Sequence, residues 1–194
     1  LGERLVGVVA NKVPDEEMSF VTEVAKPYLE NRHIPLLGAL PHREQLQAIS
    51  VGELADVLDA EFLALPNQRD VLIERLIVGA MNVEQALPRI RRVSGAKAII
   101  TGGDRADMQL VALETATRCL ILTGHLRPLP EVLRRAEEAN VPVLLVRGTT
   151  METVESIERV FGKTRLGQSA KLEKFGSLLE QQFDFEQLYE ALGL

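Results

Sequence analysis

The chain has 194 residues, 46% of them apolar, and a formal net charge of −6, which suffices for a substantial core in one large domain or two small ones. An acidic chain lacks the basic face that a nucleic-acid backbone requires, and no apolar stretch reaches the roughly 20 residues that cross a bilayer, so we expect neither nucleic acid nor membrane as partner. The single cysteine, Cys119, excludes an intrachain disulfide, and we expect a cytoplasmic protein.

Residues 1–65 are predicted to alternate strands and helices. The apolar periodicity predicts strands over Leu5–Ala10 and Ile34–Leu40 and helices over Glu16–Leu29 and Val51–Leu58. The turn residues Pro66–Gln68 follow this segment. We therefore expect a domain boundary between residues 65 and 66.

The first predicted strand ends in Asn11 and Lys12. P-loop nucleotide-binding proteins read a base at such a position, and we therefore predict these two residues as contacts to a nucleotide base. The phosphate-binding motif GxxxxGK[ST] of such proteins occurs nowhere in this sequence.

One pattern occurs four times in residues 66–166: a short apolar run, a turn of small residues and a helical stretch. The apolar runs are Leu76–Ala80, Ala98–Thr101, Leu120–Thr123 and Val143–Val146. The helical stretches are Val83–Val93, Ala106–Thr115, Pro130–Ala139 and Met151–Phe161. Because repeated strand–helix units form parallel sheets, and uniformly apolar strands are buried on both faces, we predict an α/β fold with helices on both faces of a parallel sheet.

The turns after these four strands are predicted to line a ligand-binding edge, because ligands bind beyond the carboxyl ends of the strands in open parallel sheets. Residues 66–166 carry 15 Lys and Arg against 12 Asp and Glu, whereas both flanking segments are net acidic, which favours a small anionic ligand here. The candidate ligand-binding residues are Gly79, Thr101, Gly102, Gly103, Asp104, Arg105, Thr123 and Gly124. In the alternative interpretation the glycines only turn the chain.

Asp104 and Arg105 each have two interpretations. In the first, the Asp104 carboxylate caps the following helix by accepting from the free N–H groups at the start of that helix. In the second, it binds a ribose hydroxyl or, through water, a magnesium ion. Arg105 is expected either to bind an anion in a bidentate manner or to pair with Asp104 or Glu131 on the surface.

The C-terminal segment, residues 167–194, is predicted to be a helical tail. Leu172, Phe175 and Leu179 mark one helical face, and Asp184 is the expected N-cap of a second, short helix. The tail is acidic and amphipathic, so it either packs on its own domain or docks on a protein partner.

Residues with the spacing of a catalytic or metal site do not stand out. His33, His42 and His125 have no i, i+4 partner among them of the kind that a zinc site uses. No serine elbow, Cys–His motif or carboxylate pair is recognisable. We therefore predict no catalytic residue and no metal site, and a chain that is not itself an enzyme.

The stretch from about Val71 to Val160 resembles the DRTGG domain, through residues 78–81, 101–105, 123–124 and 142–146. Residues 1–65 are similar to the C-terminal part of a dethiobiotin synthetase-like P-loop domain, through residues 7–12, 37–41 and 51–53. This order of domains resembles the N-terminal region of the larger bacterial phosphotransacetylases. The chain starts at Leu1 without an initiator Met, and we expect it to be part of a longer protein.

The resemblance implies a regulatory, dimer-forming α/β module. We expect a non-catalytic homodimer that binds a small anionic ligand, a nucleotide or an acyl-CoA-like metabolite, at the carboxyl edge of the sheet. Two alternatives remain open: a purely structural dimerisation module, and a fragment of an ATP-dependent ligase of the dethiobiotin or cobyrinic acid amide synthase type.

Overall fold

The computed structural model describes residues 5–161 and 169–194. The chain divides into two compact units, one of Leu1–Leu46 with Arg165–Leu194 and one of Gln47–Thr164. This division differs from the boundary expected after residue 65. The physical reason is that residues 47–65 contribute a helix and an edge strand to the second unit, as the following paragraphs describe. Each unit is described by itself.

A five-stranded sheet forms the centre of the Gln47–Thr164 unit, in the order β4–β9–β8–β7–β6. Its strands are β4 Glu61–Ala64, β6 Arg75–Val78, β7 Lys97–Gly102, β8 Thr117–Thr123 and β9 Val143–Leu145. Strands β6 to β9 are parallel and adjacent in chain order, whereas β4 pairs antiparallel with β9. A separate antiparallel ladder joins β3 Ile49–Ser50 to β5 Leu72–Ile73. The predicted parallel sheet is therefore confirmed, with an antiparallel edge strand that the prediction lacked.

Successive residues of the central strands enter two different apolar cores. Ile99, Leu120 and Leu122 belong to one core, and Ile100 and Ile121 belong to the other. Because side chains alternate across a strand, an uninterrupted apolar run places apolar groups on both faces of the sheet.

Helices cover both of these faces, as predicted. Helices α5 Val83–Arg92, α6 Ala106–Leu113 and α7 Pro130–Glu138 pack on one core, and α4 Val51–Leu58 and α8 Thr150–Glu158 pack on the other. Right-handed crossovers between adjacent parallel strands place the connecting helices on one face, which accounts for the grouping of α5, α6 and α7. Cys119 lies fully buried, and burial raises the pKa of its thiol, so it remains a neutral core residue.

Helix α8 begins with a capping box. The Thr149 hydroxyl oxygen accepts from the Glu152 amide at 3.3 Å, and the Thr149 amide donates to Glu152 Oε2 at 2.7 Å. Hydrogen bonds from the Thr149 amide and then its hydroxyl lower the pKa of the Glu152 carboxyl from 4.5.

We therefore expect Glu152→Gln to lower the melting temperature near neutral pH. A carboxyl whose pKa is depressed in the folded state stabilises that state above its unfolded pKa, and the stabilisation disappears as the pH falls through the folded value. The difference from the parent should shrink in thermal melts as the pH falls below the ordinary carboxyl range. Glu155→Gln, at an exposed position of the same helix, is the control; a pH-independent difference at Glu152 would contradict the charge-based account.

The other unit contains a two-stranded parallel sheet of β1 Val8–Val13 and β2 Leu36–Pro41. An irregular helical segment connects the strands: a 3₁₀ turn at Asp15–Glu17, α1 Met18–Phe20, a π turn at Val21–Ala25 and α2 Lys26–Glu30. The predicted order of strand, helix and strand is confirmed, although both strands begin later than predicted. Helix α3, Glu44–Gln47, lies at the division of the two units.

The C-terminal helices belong to this first unit. They are α9 Ser169–Gln182 and α10 Phe185–Leu192, and the Asp184 amide donates to the carbonyl of Leu37 at 2.7 Å. Asp184 caps α10 by accepting from the Gln187 amide, which confirms the predicted N-cap. The tail thus packs on β2 of its own unit. Across residues 5–161 and 169–194, no helix is long and apolar enough to span a membrane.

Candidate functional site

A cavity of about 270 Å³ lies at the carboxyl ends of β6 and β7. Its lining consists of Gly79, Ala80, Ile100, Thr101, Gly102, Asp104, Arg105 and Thr150. Backbone groups, hydroxyls, one carboxylate and one guanidinium thus meet at the edge where parallel sheets bind ligands.

The structure brings together five of the eight candidate ligand-binding residues, namely Gly79, Thr101, Gly102, Asp104 and Arg105. The other three, Gly103, Thr123 and Gly124, do not line the cavity. Gly103 packs against the Leu126 backbone, and Gly124 turns the chain at φ +77°. Sequence reasoning missed Thr150, whose only signal is its place after the turn that ends the last parallel strand.

Arg105 stands at the entrance to α6 and braces the neighbouring loop. Its guanidinium donates to the Gly79 carbonyl at 3.2 Å and the Met81 carbonyl at 2.9 Å, and it lies 3.4 Å from a carboxylate oxygen of Asp107. These contacts use three of its five N–H groups, and the other two have no acceptor among the described residues. The side chain is 29% exposed, so a ligand in the cavity can reach it.

The expected capping role of Asp104 is wrong. The N-cap residue of α6 is Arg105, which makes no side-chain capping bond, and the Asp104 side chain instead folds back over Gly102. The turn between the end of β7 at Gly102 and the N-cap of α6 at Arg105 is one residue longer than the sequence pattern suggested. Arg105 correspondingly pairs with Asp107, not with Asp104 or Glu131.

Asp107 supplies a carboxylate to the first turn of α6. The backbone amide of Met108 and the side chain of Arg105 lower the pKa of this carboxyl. An acidic group in the first helical turn is also favoured by the helix dipole. An anion entering at the start of α6 therefore competes with Asp107 for Arg105.

Gln109 fixes the turn between β7 and α6. It is completely buried, and its Nε2 donates to the Gly102 carbonyl at 2.8 Å. Its Oε1 is the one buried side-chain polar atom without a partner in the described part of the chain. This bond holds the Gly102 backbone in place at the floor of the cavity.

Three threonine hydroxyls link the strand ends. Thr101 Oγ1 donates to the Gly79 carbonyl at 3.3 Å, and Thr123 Oγ1 donates to the Thr101 carbonyl at 3.3 Å. Thr150 Oγ1 lies 2.9 Å from Thr123 Oγ1. Thr123 thus does not line the cavity itself, but its hydroxyl holds the Thr150 hydroxyl in position.

The predicted base contacts, Asn11 and Lys12, lie on β1 of the other unit. Both are exposed, and Lys12 has a left-handed backbone with φ +59°. Their role in binding a base stays a prediction. Within the described ranges, no three His, Cys, Asp or Glu side chains cluster as metal ligands.

Several curated proteins are similar to this chain. Phosphate acetyltransferase of Pseudomonas putida is 24% identical over 98% of the chain, which covers 29% of that protein. Phosphate acetyltransferase of Nitratidesulfovibrio vulgaris is 27% identical over 79% of the chain and 23% of that protein. Cobalt-dependent inorganic pyrophosphatase of Clostridium perfringens is 29% identical over 50% of the chain and 17% of that protein. The chain thus spans less than a third of the length of each.

A solved structure shares the fold. It comprises the CBS and DRTGG domains of the regulatory region of Clostridium perfringens pyrophosphatase, complexed with its activator diadenosine tetraphosphate. The TM-score is 0.53 at 21% identity, covering 80% of this chain and 74% of that one. The family model of the DRTGG domain matches residues 53–160, which contain the five-stranded sheet and the whole cavity. Since this match covers more than half of the chain, the protein belongs to the DRTGG domain family.

Proposed function

We propose that the chain is a regulatory module that binds a small anionic ligand in the cavity at the carboxyl ends of β6 and β7. One observation carries this proposal: Arg105 lines the cavity, and two of its five N–H groups have no acceptor among the described residues. A guanidinium is always charged, and its free N–H groups donate strong, charge-assisted hydrogen bonds to phosphate or carboxylate. Its contacts to Gly79 and Met81 hold it in place before the ligand arrives, which lowers the entropic cost of binding.

The ligand class that fits best is a nucleotide or an acyl-CoA-like metabolite. The related regulatory region from Clostridium perfringens is complexed with a nucleotide activator, which supports this choice. A cavity of about 270 Å³ lies just below the usual range of ligand-pocket volumes, about 300–1,000 Å³. It therefore accepts the phosphate and sugar of such a molecule, and the remainder extends into solvent.

We further propose that the module works as a homodimer within a longer protein, and that residues 1–65 derive from a P-loop-type domain. The identity to phosphate acetyltransferases over 98% of the chain supports a place in a larger polypeptide. Acetyl transfer itself is not proposed for this chain.

The second candidate is a purely structural module. The bonds from Arg105 to the carbonyls of Gly79 and Met81 favour it, because a guanidinium that braces a loop has a role without any ligand. In this case Arg105→Ala lowers stability, and no small anion binds.

Calorimetric titration of the parent and Arg105→Ala with ATP, diadenosine tetraphosphate and acetyl-CoA separates the two candidates. A hydrogen bond to a charged group contributes about 1.5–3 kcal/mol, so we expect Arg105→Ala to weaken binding roughly 10- to 100-fold. Arg127→Ala is the matched control, because Arg127 pairs with Glu61 at 2.7 Å and does not line the cavity. If none of the three probes binds the parent, the regulatory proposal is wrong.

A further inference from the structure

We propose that the cavity selects anions that carry a sugar hydroxyl, and that Thr150 is the residue that reads this hydroxyl. This inference rests on the proposed function and names the chemical class of its ligand: a phosphorylated ribose or similar polyol, as opposed to a simple anion. It follows from the direction of each hydrogen bond around the cavity.

The hydroxyl of Thr123 donates its proton to the backbone carbonyl of Thr101. Thr123 Oγ1 lies 3.3 Å from the Thr101 carbonyl oxygen, which can only accept. A threonine hydroxyl has a single proton, so Thr123 has none to offer to Thr150. The 2.9 Å contact between Thr123 Oγ1 and Thr150 Oγ1 must therefore be donated by Thr150.

Thr150 consequently faces the cavity as an acceptor. Its proton points at Thr123, which is buried, and only its lone pairs remain for a ligand. The neighbouring Thr149, not Thr150, makes the capping bonds of α8, so the cap does not use the Thr150 oxygen.

Asp104 is the second free acceptor of the cavity. Its carboxylate is exposed, lines the cavity and has no hydrogen-bond partner among the described residues. The other hydroxyl in the wall, that of Thr101, donates to the Gly79 carbonyl and belongs to a buried residue. The accessible side chains of the cavity thus offer two acceptors, Asp104 and Thr150, and one strong donor, Arg105.

This arrangement matches a ligand with both an anionic group and hydroxyl donors. A phosphate accepts from Arg105, and sugar hydroxyls donate to Thr150 and Asp104. A simple anion such as sulfate has no proton to donate, so water would continue to bind both acceptors. Vicinal hydroxyls next to a phosphate are the combination that a ribonucleotide or a sugar phosphate presents.

Calorimetry with ATP and 2′,3′-dideoxy-ATP tests the inference on the parent chain. A net hydrogen bond contributes about 1 kcal/mol, and we therefore expect ATP to bind about fivefold or more tightly than the dideoxy analogue. Thr150→Val removes the Thr150 acceptor with little change of shape and should reduce this ratio to the part that Asp104 contributes. Thr150→Ser keeps the hydroxyl and should keep the ratio.

The possible outcomes separate the inference from the proposed function. Equal affinity of the parent for both nucleotides overturns the hydroxyl selection but leaves the anion site intact. An affinity ratio in Thr150→Val that equals the ratio of the parent overturns the role of Thr150. Failure of both nucleotides to bind overturns the inference, and the proposed function is overturned with it only if acetyl-CoA does not bind either. A titration with ribose 5-phosphate distinguishes the sources, because binding comparable to that of ATP assigns recognition to the sugar phosphate alone.

Discussion

Replacing Ile121 with alanine is expected to destabilise the sheet-containing unit by about 2–5 kcal/mol. Ile121 is fully buried on β8, the strand flanked by β7 and β9, and its register partners are Ile100 and Leu144. Helices α4 and α8 cover this face, so the surrounding groups can collapse only partly into the space that truncation leaves. The total stability of a domain is about 5–15 kcal/mol, and the loss is therefore a large fraction of it.

Chemical denaturation measures this effect as a shift of the unfolding midpoint. Val57→Ala is the control, because Val57 lies in α4 of the same unit but is 41% exposed; we expect a change within about 0.5 kcal/mol. Equal losses for the two variants would contradict the assignment of Ile121 to the core.

Replacing Gly103 with alanine is expected to lower stability by about 1–3 kcal/mol or more. A Cβ at this position would overlap the carbonyl oxygen of Leu126 and lie 2.6 Å from the Leu126 carbonyl carbon. Because the obstacle is backbone, no side-chain rotation relieves the overlap, and the turn after β7 or the loop after β8 must move. Gly103 is thus needed for the close approach of two chain segments.

Gly148→Ala is the matched control at the same edge of the sheet. A Cβ there would meet only ordinary contacts of 3.4 Å or longer, and its backbone does not require glycine. Thermal melts should show a large decrease for Gly103→Ala and little change for Gly148→Ala. If Gly103→Ala has the same melting temperature as the parent, the close packing of Gly103 on Leu126 does not exist in solution.

The four strand–helix repeats were predictable because each signal is local and redundant. The run Ala98–Thr101 is apolar without alternation, as a strand covered on both faces requires, and small residues follow it. The structure extends this strand to Lys97–Gly102. Helix α4 was predicted with the bounds that the structure has, and its Ser50 side chain and Glu53 form a capping box.

The antiparallel strand β4 was not predictable from its own residues. Glu61–Ala64 is four residues long and ends before a turn, and its pairing with β9 joins segments far apart in the sequence. Local patterns do not encode such contacts, and they therefore give no sign that residues 47–65 cluster with the sheet-containing unit. Residues 47–65 belong to the second unit because β4 pairs with β9 of its sheet.

The candidate site was predictable as an edge but not as a set of contacts. The rule that ligands bind at the carboxyl ends of parallel strands located Gly102, Asp104 and Arg105. It could not find Thr150, because its contact with Thr123 spans 27 residues of sequence. Nor could it show that Arg105 contacts Gly79 and Met81, since these bonds depend on the path of the loop before α5.

The central claim is that an anionic ligand occupies the cavity beside Arg105. An NMR titration of the isotope-labelled chain with ATP tests it most directly, by following the backbone amide signals. We predict saturable shifts at Gly79, Gly102–Arg105 and Thr150, and their loss in Arg105→Ala. Saturable shifts confined to residues outside this cavity, or no shifts at all, would contradict the account.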